Sequence, residues 1–305
     1  MNRTSIRWVS STQLSFAQAS YVIASGEHVI DPKIDAILKT PVQRVSDRLL
    51  EESINVAGFW IAFHAGVLRD KDLNSATLKA TRDAGGSELL SKRIGEETAG
   101  ILVEAHREFE AEQPDLGAQI ELRVRPLRDR WETCGFGLLR LFEKRFWGDR
   151  IPPEDWWVEQ LPLVMIQPYR GGDGGVDSFA PKVWMEAMLT DVHSEVPEVL
   201  RLAWWINQIA LDRTFMQLTT DTSLHQVYRL ATLPLLLEVA REVDLVRSPD
   251  LPVELAMKLW RVGMPREASI LFEWWHEEGL QKLPLSLGVQ SLQERLASLR
   301  SSDHG

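Results

Sequence analysis

The sequence predicts a predominantly helical α+β protein, with a helical N-terminal region, a small central β-sheet and a helical C-terminal region. Apolar residues recur at spacings of three and four along most of the first hundred residues and again after Pro197. Between these regions the spacing shortens to two or gives way to a continuous apolar run. The 305-residue chain therefore divides into 1–117, 118–196 and 197–305, and the last two are either separate domains or one.

The N-terminal region is expected to consist of helices separated by turns. The apolar spacing and the helix-breaking residues assign these helices to 34–50, 51–68 and 96–112. Pro41 is expected to start or kink a helix, and the DAGGS segment at 83–87 to form a turn. The QPDLG segment at 113–117 is expected to end the helical region.

Two strands are expected in the middle region. Residues 119–125 alternate apolar and charged side chains, which is typical of a half-buried strand. Residues 161–167, LPLVMIQ, are continuously apolar, which is typical of a strand covered on both faces, and the glycine-rich loop 171–175 follows them. Between the strands 127–147 is expected to be helical, and 183–189 is expected to be a third strand or a short helix.

The C-terminal region is expected to be helical to its end, and Pro197 suits the first turn of a helix. Its predicted helices cover 197–211, 223–243, 253–262, 267–277 and 289–300. The stretch 256–279 resembles a single helical hairpin of the tetratricopeptide kind. Because stacked repeats need about three units to bury a continuous core, no repeat array is predicted.

Charge and composition restrict the classes of function. The chain has 34 Lys and Arg against 44 Asp and Glu, a net charge of −10, which argues against general nucleic-acid binding. Cys134 is the single cysteine, so neither an intramolecular disulfide nor a cysteine-based metal site is expected. The longest apolar run, 56–68, is shorter than a membrane-spanning helix. We expect a cytoplasmic protein without membrane association, metal or cofactor.

Two segments carry a resemblance to known proteins. They are 125–139, RPLRDRWETCGFGLL, and 197–204, PEVLRLAW, and the loop after LPLVMIQP belongs with them. They resemble an uncharacterised bacterial protein family with no assigned activity. The resemblance covers roughly the middle half of the chain. It implies a discrete middle unit and no particular activity.

The glycine-rich loop is a candidate ligand site. Gly172 and Gly174, with Gly171 and Gly175, would let backbone N–H groups approach an anion. The loop lacks the GK[ST] ending of a phosphate-binding loop and the GxGxxG spacing of a dinucleotide site, and Asp173 would repel a phosphate. The alternative is a flexible surface turn.

Arginines near the first predicted strand are candidates for the cationic side of a ligand site. Arg125 and Arg128 are the two we single out, within a local concentration that also includes Arg123 and Arg130. The alternative is a solvated or internally salt-bridged face, since neighbouring acidic residues can neutralise these guanidinium groups.

Glu186 and Glu198 are candidates for paired acid–base catalysis, provided that the segment 183–189 and the following helix lie side by side. The alternative is that Glu198 complements a helix dipole and Glu186 pairs with an arginine. The order of strand, glycine loop, strand and acidic helix resembles zinc-dependent peptidases. Their HExxH motif is replaced here by PEVLRLAW, and the seven histidines contain no pair at helical spacing.

The twelve tryptophans favour either core packing or an aromatic groove for a partner. Six of them lie in apolar helical stretches: Trp60, Trp204, Trp205, Trp260, Trp274 and Trp275. Because neighbours on a helix point about 100° apart, one member of each adjacent pair is expected to be more exposed. The leading hypothesis is a soluble, non-catalytic interaction or scaffold protein with a Trp-rich helical surface. The rival is a hydrolase-like or degenerate zinc-peptidase-like fold with a site near the glycine loop.

Overall fold

The computed structural model describes residues 4–69, 71–218, 222–277 and 285–301. It confirms the predicted fold class, because helical N-terminal and C-terminal regions flank a small mixed sheet. The helices are α1 (Thr12–Ala24), α2 (Pro32–Glu51), α3 (Val56–Leu68), α4 (Leu73–Asp83), α5 (Glu88–Glu112), α6 (Leu116–Trp147), α7 (Glu198–Leu218), α8 (Thr222–Glu242), α9 (Val253–Trp260), α10 (Pro265–Glu277) and α11 (Leu285–Ser301). The strands are β1 (Ser5–Ser10), β2 (Gln160–Ile166), β3 (Gly174–Asp177) and β4 (Lys182–Glu186).

The sheet has the strand order β1-β2-β4-β3. β1 and β4 both run parallel to β2, with Trp8 opposite Leu163 and Val164 opposite Trp184, and β3 runs antiparallel to β4. β2 is thus an interior strand, and its Leu163 and Ile166 are fully buried. The covered strand that was predicted from the apolar run 161–167 is confirmed. For 183–189 we predicted a strand or a short helix, and β4 shows that this segment contributes a strand.

β1 corrects the prediction of a purely helical N-terminal region. It pairs in parallel with β2, and helices α1 to α6 form the connection between the two strands. Parallel strands require such a crossover, because a tight turn can join only antiparallel neighbours. The sheet therefore takes its first strand from the beginning of the chain and the other three from the middle region.

α6 corrects two further predictions. Residues 119–125 lie inside this helix and are not a strand. The segment 113–117 does not end the helical region either, because 113–115 separates α5 from α6 and 116–117 is the first part of α6. Ile120 and Val124 satisfy a spacing of four as well as of two, and both are buried on the inner side of the helix. Leu122 fits only the strand pattern, and its side chain is 55% exposed.

The predicted helices after Pro197 correspond to α7 through α11, with shifted ends. α9 and α10 contact each other within the predicted hairpin, of which residues 278 and 279 lie outside the described residues. Within the described ranges, no helix is both long enough and apolar enough to cross a membrane.

The six tryptophans that we singled out do not form an exposed helical groove, which corrects the partner surface predicted from them. All six tryptophans that we singled out are buried, including both members of the Trp204/Trp205 and Trp274/Trp275 pairs. The reason is clearest for α7, which contacts the sheet, α6 and α8, so that little of its circumference faces solvent. Trp204 and Trp205 pack edge to face at 4.5 Å between ring centroids.

Candidate functional site

The glycine loop does bind an anion, and that anion is the carboxylate of Glu186. Tyr169 and Arg170 donate backbone N–H groups to Oε1, both at 2.8 Å. Gly172 and Asp173 donate theirs to Oε2 at 2.7 and 3.0 Å. The Glu186 side chain is fully buried, and four charge-assisted hydrogen bonds compensate its loss of water.

The backbone of the loop explains why glycines are required. Gly171 and Gly172 have φ values of +78° and +127°, which residues with a Cβ rarely adopt. Gly174 has a different role, because a Cβ there would fall 2.7 Å from Nε1 of Trp205. Of the two candidate glycines, Gly172 thus contacts the internal carboxylate and Gly174 allows close packing of α7 on the sheet.

Asp173 closes the loop from the other side. Its carboxylate accepts hydrogen bonds from Nε2 of Gln18 at 2.9 Å and from Arg170 at 3.0 Å. Its backbone oxygen accepts one from Arg201 at 2.6 Å. Asp173 therefore binds side chains of the protein itself, while the backbone N–H groups of the loop bind Glu186.

Arg201 links the backbone of Glu186 to the carboxylate of Glu198. Its side chain is 1% exposed, donates to the backbone oxygen of Glu186 at 2.9 Å and forms an ion pair with Glu198 at 2.5 Å. Burial raises the pKa of Glu198, the Arg201 guanidinium opposes this, and the nearby negative charges of Asp191 and Glu186 add to it. Strand β4 and helix α7 do lie side by side, as paired carboxylates would require.

The two carboxylates nevertheless have different surroundings. Both oxygens of Glu186 are occupied by backbone N–H groups, so this group has no lone pair directed at a substrate. Glu198 lines a cavity of about 310 Å³ between the middle of α6, the segment after β4 and the first turn of α7, which we call the Glu198 cavity. Paired acid–base chemistry by Glu186 and Glu198 would need both carboxyl groups to face one substrate, and of these two only Glu198 lines the cavity.

The candidate arginines are distributed around α6. Arg125 is exposed, and Arg130 forms an ion pair with Asp191 at 2.7 Å. The Arg128 guanidinium lies over the Trp8 ring, 5.3 Å from its centroid. They do not form one cationic surface, because successive residues of a helix point in different directions.

Residues that sequence reasoning missed lie along β1, at one edge of the sheet. Ser5 donates its backbone N–H to the oxygen of Glu159, the residue before β2, at 2.8 Å, and Ser11, just after β1, donates to Met165 of β2 at 3.0 Å. Because bonding alternates along a strand, the odd-numbered residues face β2, and the N–H and C=O groups of Ile6, Trp8 and Ser10 face outward. The missed signal was the short alternation of Ile6, Arg7 and Trp8.

An aromatic pocket of about 320 Å³ lies beside this edge. Ile6 and Trp8 line it from β1, and Trp131 and Phe136 line it from α6. Two polar atoms next to it, Oγ1 of Thr4 and Nε of Arg128, are buried and have no hydrogen-bond partner among the described residues. We call β1 together with this pocket the β1 edge.

The opposite edge of the sheet, formed by β3, is covered. Arg69 binds the nearly buried carboxylate of Asp177 through two nitrogens. Asp212, on α7, accepts hydrogen bonds from Ser178 and His225. The aspartate stands between the serine and the histidine, whereas nucleophilic catalysis requires the histidine next to the serine.

Among the described residues, no group of three or more His, Cys, Asp and Glu side chains could hold a metal ion. His304 lies outside those residues. Comparison with family models, with curated proteins and with solved structures finds no match for this chain.

Proposed function

We propose that this is a non-catalytic interaction protein that binds an extended peptide as an additional strand at the β1 edge. One observation carries the proposal: Ile6 and Trp8, whose backbone groups face outward from β1, also line the aromatic pocket. In strand addition, main-chain hydrogen bonds provide affinity, and pockets for alternate side chains provide selectivity.

The pocket favours an aromatic or branched apolar side chain in the peptide. Its volume of about 320 Å³ exceeds what one such side chain fills, and its Trp and Phe walls offer large apolar area. Trp8 belongs both to the strand that would be extended and to the wall of the pocket. One side chain of an added strand would therefore enter the pocket while its neighbours remain outside.

Charge favours an acidic peptide. Arg7 is exposed on β1, and Arg128 lies over Trp8 with its buried Nε lacking a partner among the described residues. Glu132 also lines the pocket, so the positive charge is confined to the strand side. A second copy of the chain is the less favoured occupant, because pairing β1 with itself would bring two Arg7 side chains together.

Fluorescence anisotropy with a labelled hexapeptide that alternates valine or phenylalanine with aspartate tests the proposal. We expect Trp8→Ala and Ser10→Pro to weaken binding at least tenfold, since the first removes a pocket wall and the second an outward N–H donor. Phe179→Ala, at an exposed position beside β3, is the matched control and should bind like the wild type. Equal binding by Ser10→Pro, or concentration-dependent dimers that exclude the peptide, would contradict the proposal.

A further inference from the structure

The Glu198 cavity is separate from the β1 edge and is used by neither the proposed peptide nor the glycine loop. Its walls are largely apolar and include Leu127 on α6, Met188 after β4 and Val199 on α7. Its charged groups are Arg130, Asp191 and Glu198, and Thr190 is a further polar residue of the lining. Apolar walls with a few convergent polar groups are the usual composition of a small-molecule site.

The two carboxylates of the cavity are held in place. Asp191 accepts the backbone N–H of Glu198 at 2.8 Å through one oxygen and pairs with Arg130 through the other. Glu198 is paired with Arg201, and two backbone oxygens of the sheet region fix Arg201 in turn. A ligand would therefore meet carboxylates that are already oriented, which reduces the entropic cost of binding.

The charge around the cavity is unbalanced toward negative. Asp191, Glu198 and Arg130 line it, a net charge of −1 if the carboxyl groups are ionised, and Glu186 lies close behind. Arg201 pairs with Glu198 and offsets one of these negative charges, while the carboxylates of Asp191 and Glu186 repel that of Glu198. A bound cation would relieve this repulsion, and a bound anion would increase it.

We propose that the Glu198 cavity binds a small organic cation of the alkylammonium type, with its ammonium group on Glu198 and Asp191 and its apolar part against Leu127, Met188 and Val199. At roughly 30 Å³ per packed group the cavity accepts a ligand of on the order of ten non-hydrogen atoms. The ammonium group replaces its lost water by charge-assisted hydrogen bonds to two carboxylates.

Isothermal titration calorimetry with three ligands of matched shape tests this inference: n-hexylammonium, 1-hexanol and hexanoate. We expect n-hexylammonium to bind at least tenfold more tightly than either of the others, because only its head group is positively charged. Equal binding of the three ligands would reveal a merely apolar cavity. No detectable binding of n-hexylammonium at millimolar concentration would overturn the proposal outright.

Two variants locate the binding. Glu198→Gln should weaken n-hexylammonium binding at least tenfold and leave 1-hexanol binding unchanged. Glu198→Gln also removes the ion pair with Arg201 and could unfold the protein, so a second variant, Leu189→Trp, is needed. Leu189 lines the cavity and is 48% exposed. A tryptophan at this position would fill the entrance of the cavity. Leu89→Trp, on the exposed side of α5, is the control. Unchanged binding in Leu189→Trp would show that the ligand lies elsewhere.

Discussion

The two edges of the sheet are built in opposite ways. The β3 edge is covered by α7, by the Arg69–Asp177 ion pair and by the contacts of Asp212. The β1 edge has outward-facing backbone groups, an exposed Arg7 and an aromatic pocket. Proteins generally protect sheet edges against pairing with other chains. Among the described residues no strand pairs with the outer side of β1, which lies beside a pocket, whereas the β3 edge is covered, so β1 is where we expect a partner strand.

The largest expected effect concerns the loop that leads into β3. Glu186→Ala should destabilise the fold by about 4 kcal/mol, because it leaves four buried N–H groups without an acceptor. Glu186→Gln keeps the volume and one acceptor oxygen, so we expect about 2 kcal/mol. Urea unfolding measures both values. Equal stability of the two variants would show that the four hydrogen bonds contribute little.

Proline substitutions along β1 test the directions of its hydrogen bonds. Val9→Pro removes a donor that faces β2 and should cost about 3 kcal/mol, whereas Ser10→Pro removes only an outward donor and should cost about 1 kcal/mol or less. Both free energies of unfolding can be measured in urea. The reverse order would mean that the assignment of the open edge is wrong.

The next largest expected effect on the free energy of unfolding concerns the Arg69–Asp177 ion pair at the β3 edge. Asp177→Ala should cost about 2 kcal/mol, since the carboxylate is nearly buried, while the half-exposed Arg69 regains some water. Asp83→Ala removes the partner of Lys79 in an exposed pair and should change the free energy of unfolding by less than about 0.5 kcal/mol. Similar losses in the two variants would indicate that burial does not distinguish these pairs.

The smallest effect is a dependence on pH. Burial opposes ionisation of Asp212, but hydrogen bonds from His225 and Ser178 outweigh it and lower the pKa of this carboxyl. A lowered pKa in the folded state means that the stabilisation is present above the ordinary pKa of 3.8 and is lost as the pH falls through the folded value. We expect the stability difference between wild type and Asp212→Asn, about 1 kcal/mol near pH 6, to shrink as the pH falls below 3.8.

His64 provides the internal reference for that measurement. Burial lowers the pKa of His64 to about 4, from an ordinary value of 6.5. The unfolded chain therefore binds a proton first, and stability falls between pH 6.5 and 4 in both proteins alike. A difference between the two proteins that changes in this range, rather than below it, would assign the effect to His64 and not to Asp212.

Part of this fold could be predicted because its signals are local. The apolar run of β2 and the glycines after it indicate a covered strand and a tight loop without reference to any partner. The strand predicted for 119–125 was wrong because Ile120 and Val124 fit the spacing of a helix as well as that of a strand. Only Leu122 distinguishes the two patterns. β1 was not predicted because its six residues give only a short alternation of apolar and polar side chains at the start of a region whose spacing is helical.

The candidate site shows where local signals end. The glycines indicate a loop whose backbone N–H groups are accessible, but the group that these bind is Glu186, which lies 14 residues beyond Gly172 and reaches it only through the pairing of β4. Glu198 is acidic in the first turn of a helix by sequence, and only packing on Arg201 and α6 makes it the wall of a cavity.

By itself the sequence determined the fold class, the interior strand, the glycine loop and the helices after Pro197, since each follows from side chains a few residues apart. Only the tertiary structure decided that Glu186 is hydrogen-bonded within the protein and that Glu198 lines a cavity. It also decided where the tryptophans are buried and which edge of the sheet has no neighbouring strand among the described residues. These properties depend on contacts between segments far apart in the chain, and periodicity carries no information about such pairings.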